Sequence, residues 1–390
     1  MIMKILIVRT IAIEEDLSQN TYNNQGIGLA TQLTKCGNEC ALVYYAKKGK
    51  QREELITSDG MKIKIYHIEG INLAWNAIYS NKLYDICNDY DLIQTSECDQ
   101  ICSWELYKRF PNKTVIYHGP YKSKYTWKYN MRSMVFDLIF SWRKGFKNAT
   151  VITKSLIAEK YLCDKGFKNI VTLGVGLNPL QFENKVDKLP SKIESIILNK
   201  GNNKYLLYVG AISKRKNLMY LLEVLDILVN EKKCSEIKMI VVGTKAYKEE
   251  KYYYNCFEFI KNKRLSNNII YLGSVEQKYM RILYENSDVY LLATQYDIFG
   301  MVYLEALYFG TIIITTLCGG SSLLIEEGKT GYIRNLNDKI EWGNLIQKII
   351  NNKQDMNIIR ENGKKLIRDN YLWSKMAPGF LEVYNDLLSR

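Results

Sequence analysis

Short apolar runs bounded by turn residues alternate with longer amphipathic segments along almost the whole chain, and this alternation constrains the fold most. Strand, helix, strand in that rhythm is the pattern of a mostly parallel sheet covered on both faces. In the first half the expected strands are Met3 to Val8, Cys40 to Tyr45, Met61 to Tyr66, Leu92 to Thr95, Thr114 to Tyr117, Ala149 to Thr153 and Ile170 to Leu173. Helices are expected at about Gln25 to Lys35, Ala74 to Asn88, Ile101 to Arg109, Met131 to Lys144 and Ser155 to Lys165. The rhythm breaks at Asn178-Pro179, Pro190 and Gly201-Asn202-Asn203, which places a linker over 179–203. It then resumes with strands Tyr205 to Val209, Lys238 to Val242, Ile269 to Leu272, Val289 to Leu292 and Thr311 to Thr315. The reading is α/β, with one αβα domain over 1–178, a second over 204–371 and a cleft between them. A last helix, within 372–390, could close the second domain or cross back to the first.

A chain of 390 residues has room for two such domains, and 47% apolar with 24% charged residues is globular. No stretch approaches the ~18 apolar residues that a spanning helix requires. The apolar start, Met1 to Val8, is interrupted by Lys4 and followed by Arg9, Glu14, Glu15 and Asp16, which suits a buried strand and not a signal peptide. Nine Cys without a C-x-x-C pair read as free thiols of a reducing, cytoplasmic compartment. With His67 and His118 as the two histidines, no metal site is expected.

Three motifs fail on inspection. Gly328-Lys329-Thr330 ends like a P-loop, but the glycine required five residues earlier is Leu323. Asp89-Tyr90-Asp91 sits where a helix gives way to a strand and reads as a solvated junction. Gly26-Ile27-Gly28 follows a strand and opens a helix, yet lacks the third glycine of the dinucleotide fingerprint.

The informative stretch runs from Asp297 to Leu307. Gly300 permits a sharp start to a helix whose first N–H groups and positive dipole end suit an anion such as phosphate, beside Phe299 and Met301. That helix carries one charge, Glu305, among apolar residues, and a buried carboxylate is costly without donors. Two ribose hydroxyls would satisfy it; so would a buried Lys or Arg. Asp297 alone could be a turn or cap residue.

Asp297 and Glu305 together resemble the E-x7-E region of retaining glycosyltransferases of family 4, with Asp297 in place of the first Glu. Gln25-Gly26-Ile27-Gly28 is similar to that family's glycine loop, and Ile116-Tyr117-His118-Gly119 to the loop that sets a histidine against the donor sugar. Tyr208-Val209-Gly210 with Lys214-Arg215-Lys216-Asn217 resembles the phosphate-binding start of its second domain. Gly273-Ser274-Val275 and Gly319-Gly320 through Gly331 follow in the family's order. The resemblance implies a GT-B fold of two Rossmann-like domains, the sugar nucleotide held mainly by the second and the acceptor by the first. It puts Asp297 on the donor sugar, Glu305 on the ribose, Lys216 on the diphosphate and His118 on a sugar hydroxyl, with Gly26, Gly28, Gly210, Ser274, Val275, Phe299, Gly300 and Met301 around the donor. It also implies retention of configuration. Taken without the family, His118 could equally be a core or capping residue. The family's usual Arg after the glycine is Ala211 here, so Arg215 or Lys214 is expected to supply that cation. Asn217 replaces a common Gly, Asn178 a common Asp and Leu323 a common Glu.

Lys122, Lys124, Lys128, Arg132, Arg143, Lys144 and Lys147 stand between Gly119 and Asn148, interleaved with Tyr121, Tyr125, Trp127, Tyr129, Phe136, Phe140, Trp142 and Phe146. Such a face fits an anionic membrane surface or an acidic acceptor, and equally an ordinary helix with a solvated basic side. The expected protein is a cytoplasmic, metal-independent glycosyltransferase, peripheral at the membrane. It would use a nucleoside-diphosphate sugar, UDP-linked in expectation, and a glycan, lipid-linked or protein-linked acceptor. A nucleotide-sugar epimerase is the nearer alternative, although two histidines make its acid and base groups harder to assemble. A nucleic-acid-binding protein, suggested by a charge of +13 and 30 Tyr, leaves Glu305 unexplained.

Overall fold

The structure is a computed structural model of the chain and describes residues 2–14, 24–73, 76–141, 143–182 and 188–390. It divides into two compact units, Met1–Asn178 with Tyr371–Arg390, and Pro179–Asn370. The first holds β1 (Lys4–Val8), α1 (Gln25–Lys35), β2 (Glu39–Ala46), β3 (Arg52–Ser58), β4 (Met61–Leu73), β5 (Asn76–Tyr79), α2 (Lys82–Asn88), β6 (Leu92–Ser96), α3 (Ile101–Arg109), β7 (Thr114–His118), α4 (Trp127–Phe136), β8 (Thr150–Thr153), α5 (Leu156–Asp164) and β9 (Asn169–Thr172). Its sheet runs β3-β4-β2-β1-β6-β7-β8-β9, with every pair parallel except β3 with β4. Strand order reverses between β1 and β6, and ligands of open parallel sheets bind at such a switch point, outside the strands' carboxyl ends. The central strands are apolar because helices cover both faces: Leu6, Val8, Val43 and Ile93 pack with Leu83 and Leu106 in one core, and Ile116 and Val151 with Phe136, Phe146 and Leu162 in another.

The second unit holds α6 (Ser191–Leu198), β10 (Lys204–Val209), α7 (Leu218–Asp226), β11 (Ile237–Val242), α8 (Glu250–Asn262), β12 (Ile269–Gly273), α9 (Gln277–Asn286), β13 (Val289–Leu292), α10 (Met301–Tyr308), β14 (Ile312–Thr315), α11 (Ser321–Leu324), β15 (Gly331–Ile333), α12 (Lys339–Asn351) and α13 (Lys353–Asn370). Its parallel sheet runs β12-β11-β10-β13-β14-β15, with the switch point between β10 and β13.

Four expectations are corrected. The helix expected over Ala74 to Asn88 is a strand, β5, followed by the shorter α2; β5 pairs antiparallel with the end of β4, and residues 74–75 lie outside the described set. The hairpin β3–β4 was not expected, although Asp59-Gly60 is a favoured two-residue hairpin turn and both residues have positive φ, 48° and 76°. The helix expected over Met131 to Lys144 begins earlier, at Trp127, and widens into a π-turn over Asp137–Ser141. Of that expected basic and aromatic segment, Trp142 lies outside the described residues. The stretch expected as a linker contains α6, whose Ile193 and Ile196 are buried, and Tyr205 Oη donates to the Ile196 carbonyl, so it packs with the second unit.

The last helix, α14 (Trp373–Leu388), packs on the first unit. Leu177 N donates to the Tyr371 carbonyl, its own carbonyl accepts from Trp373 N, and Tyr384 Oη donates to Gln94 Oε1 at 2.5 Å in the interior. Trp373 fills the space beside Gly28 and Gly176, where a Cβ would clash with the indole.

Candidate active site

In the second unit the loops after β10 and β13, the two strands at the switch point, are stitched together. The Arg215 carbonyl accepts from Gln295 N at 2.9 Å and Thr294 Oγ1 at 3.2 Å, and Arg215 Nη1 donates to the Tyr296 carbonyl at 2.7 Å. This brings Lys216 Nζ to 2.5 Å from Asp297 Oδ2, with Arg215 Nη1 3.8 Å from Asp297 Oδ1. The Lys216 and Asp297 side chains are 12% and 16% exposed, shielded enough for their charges to matter more than at a surface. Lys214 is exposed and makes no ion pair among the described residues, whereas Arg215 approaches Asp297. Asn217 has φ 54°, a left-handed conformation that Gly or Asn adopts most readily.

Gly300 starts α10 with φ 83°, and a Cβ there would crowd Tyr303 and Asp297 Oδ2. Behind it, Gly319 N and Gly320 N donate to the carbonyls of Asp297 and Phe299. A Cβ at either glycine would clash with the carbonyls of Ile298 or Phe299, so the paired glycines let the Asp297 loop lie flat. Phe299 and Met301 are buried at the helix start, while Ser274 is exposed and Val275 half-buried in the turn between β12 and α9. Gly210 ends β10, its N–H bonded to the Val242 carbonyl.

Glu305 is wholly buried. Tyr284 Oη donates to Oε2 at 2.9 Å and Gln277 Nε2 to Oε1 at 3.3 Å. Two neutral donors thus face the carboxylate.

In the first unit, Gly26 N and Ile27 N bond the Asn24 side chain, which caps α1. Gly28 also serves packing: a Cβ there would stand 2.5 Å from Trp373 Cδ1, so its bare Cα makes room for the indole. His118 ends β7, 1% exposed. Its Nδ1 lies 3.1 Å from Cys98 N and 3.3 Å from Glu97 Oε2. Its other ring nitrogen, Nε2, is buried and has no partner among the described residues.

Sequence reasoning missed Glu97. It sits just beyond β6 with φ 64°, accepts from Lys154 Nζ at 2.9 Å and Gly119 N at 2.7 Å, and borders His118. Burial pushes its carboxyl up, but Lys154, His118 and the Gly119 N–H outweigh that and bring it to about 2. Next to it Asp99 is 3% exposed, with neither carboxylate oxygen partnered among the described residues. The available signal was the polar run Ser96 to Gln100 directly after a buried strand, at the sheet's switch point.

Comparison with known proteins places this geometry. Residues 191–366 match the family described as glycosyl transferases group 1. An uncharacterised glycosyltransferase of Methanocaldococcus jannaschii is 23% identical over 249 residues, 61% of this chain and 60% of that protein. The α-1,3/1,6-mannosyltransferase ALG2 of Dictyostelium discoideum is 23% identical over 324 residues, 76% of each. Among solved structures, Anabaena HepE in complex with UDP superposes with a TM-score of 0.73 at 16% identity, covering 98% of this chain and 100% of that one. Sucrose-phosphate synthase of Thermosynechococcus elongatus gives 0.73 at 18% identity, covering 99% of each. The fold is GT-B, α/β with two parallel-sheet domains. The family match falls within the second unit, and the chain spans less than two thirds of the length of the Methanocaldococcus relative. Among the described residues no helix is long and apolar enough to cross a membrane.

Proposed function

We propose that this protein is a retaining glycosyltransferase that moves a sugar from a UDP-sugar to a glycan, lipid-linked or protein-linked acceptor without a metal ion. The observation that carries the reading is the Lys216–Asp297 pair beside the Gly300-started helix: a cation, an acidic group and a helix N-terminus meet at the switch point of the second sheet. HepE, of the same fold, is recorded with UDP and with UDP-glucose, which favours a uridine nucleotide.

As the bond from the anomeric carbon to the diphosphate oxygen breaks, negative charge collects on the leaving group. Lys216 keeps two further N–H donors beyond the one on Asp297, and Arg215 and the α10 N-terminus add to it. The acceptor oxygen attacks from the face the diphosphate leaves, and its proton passes to a diphosphate oxygen. Asp297 orients the sugar. Glu305 receives the ribose hydroxyls, displacing Gln277, whose contact at 3.3 Å is longer than that of Tyr284.

The test is a thermal-shift and hydrolysis screen against UDP-, GDP- and dTDP-sugars in EDTA, with Lys216→Ala beside wild type. Stabilisation by the UDP series, lost in the variant, is expected. A folded protein indifferent to all three would sink the reading.

The acceptor side carries a further proposal, contact with an anionic membrane. Along α4 and the π-turn, Trp127, Met131, Met134 and Leu138 recur at helical spacing, and all are exposed, Trp127 by 65% and Leu138 by 69%. Lys124, Lys128 and Arg132 flank this apolar stripe. Sedimentation with anionic liposomes at low salt, lost in Trp127→Ser/Leu138→Ser, is expected; no sedimentation of wild type ends the proposal.

A further inference from the structure

At the opposite end of α10 from Gly300, the second unit contains a cavity of about 370 Å³. Three of its cations, Arg360, Lys364 and Arg368, stand four residues apart on α13, which puts them on one face; Arg281 of α9 is the fourth. Glu285 is the acidic residue of the lining. Rings from Phe182 and Phe309, in edge contact at 5.1 Å, and from Tyr308 complete the wall.

Part of this charge has a structural use. Arg360, half-buried and lowered in pKa by burial, donates to the carbonyls of Gly310 and Asp288 at 2.9 Å each, closing the end of α10. Lys364 bonds Glu361 at 2.7 Å. Arg281 and Arg368 are not used in this way. Arg281 spends Nε on Glu285 at 2.8 Å and leaves its two terminal nitrogens without a partner among the described residues. Arg368 lies over the Tyr308 ring at 5.5 Å and makes no hydrogen bond among them. Fork-shaped guanidinium donors left open around a concave, part-aromatic space suit a phosphate that accepts several bonds at once. The volume lies near the lower end for small-molecule sites, about 300–1,000 Å³.

We propose that this cavity binds a small organic phosphomonoester: Arg281 and Arg368 hold the phosphate, and the Tyr308 and Phe309 rings lie against the body of the ligand. The site uses none of the residues assigned to the sugar nucleotide and does not rest on that reading.

The test is titration calorimetry of the full chain with glucose 6-phosphate, inorganic phosphate and glucose as probes. The variants are Arg281→Ala, Arg368→Ala and the double substitution; Arg360 is left intact because it holds two backbone carbonyls. Saturable glucose 6-phosphate binding is expected, weaker for inorganic phosphate, absent for glucose, reduced by added salt and reduced at least about tenfold in the double variant. The unfolding midpoint without ligand should be unchanged in that variant, which shows that the protein is folded. No binding of glucose 6-phosphate by wild type, or equal binding by the double variant, overturns the proposal. Equal affinity for glucose 6-phosphate and inorganic phosphate overturns the role of the rings.

Discussion

Lys216 Nζ stands 2.5 Å from Asp297 Oδ2 across 81 residues of chain, and a single tertiary fact brings them together: β10 and β13 are neighbours in the second sheet. The loops that follow those two strands share backbone bonds at Arg215, so the ammonium and carboxylate are set by main chain more than by their own flexible stems.

Lys216→Ala is expected to lower donor hydrolysis or transfer by about 10²–10³, the usual cost of removing a donor from developing negative charge. Arg215→Ala should weaken the UDP thermal shift and Lys214→Ala should leave it unchanged, because Arg215 is the residue that approaches Asp297. Loss in Lys216→Ala with both other variants fully active would reject Arg215 as the substitute cation.

Tyr284→Phe removes one of the donors to the buried Glu305 carboxylate. The expected cost is about 1.5–3 kcal/mol in chemical denaturation. A variant as stable as wild type would show that Gln277 and other partners suffice.

Glu97 makes stability depend on acid pH. Its folded value, about 2, lies below the ordinary 4.5, so the folded state favours the ionised form. That contribution is complete above about pH 4.5 and is lost as pH falls through 2. Glu97→Gln should therefore flatten the denaturation midpoint across that window, and an unchanged slope would contradict the assignment.

Asp99→Asn should stabilise the protein, since it replaces a buried carboxylate with no partner among the described residues by a neutral amide. A gain of about 1–3 kcal/mol is expected, or roughly 2–8 °C in Tm. A lower Tm would mean that the carboxylate has a partner worth keeping.

Gly28→Ala forces a Cβ to 2.5 Å from Trp373 Cδ1, on the first unit's seam with α14. Overpacking of this kind costs about 1–3 kcal/mol, and Trp373 fluorescence should shift with it. An unshifted spectrum with unchanged stability would show that the helix yields freely.

By itself the sequence determined what is local. Apolar runs such as Lys4–Val8 and Ile312–Thr315 could only be buried strands between helices, and Gly300 before an apolar segment could only open a buried helix. The Asp59-Gly60 turn was equally local and readable, but β5 was not, because four residues beside a helix-like stretch become a strand only when the end of β4 offers them a partner. Tertiary structure alone decided that Tyr284 and Gln277 hold Glu305, that Glu97 joins Lys154 to His118, and that Trp373 occupies the space beside Gly28. Periodicity fixes which face of an element is apolar; strand order and helix docking choose the neighbour that face meets, and no spacing along the chain encodes that choice.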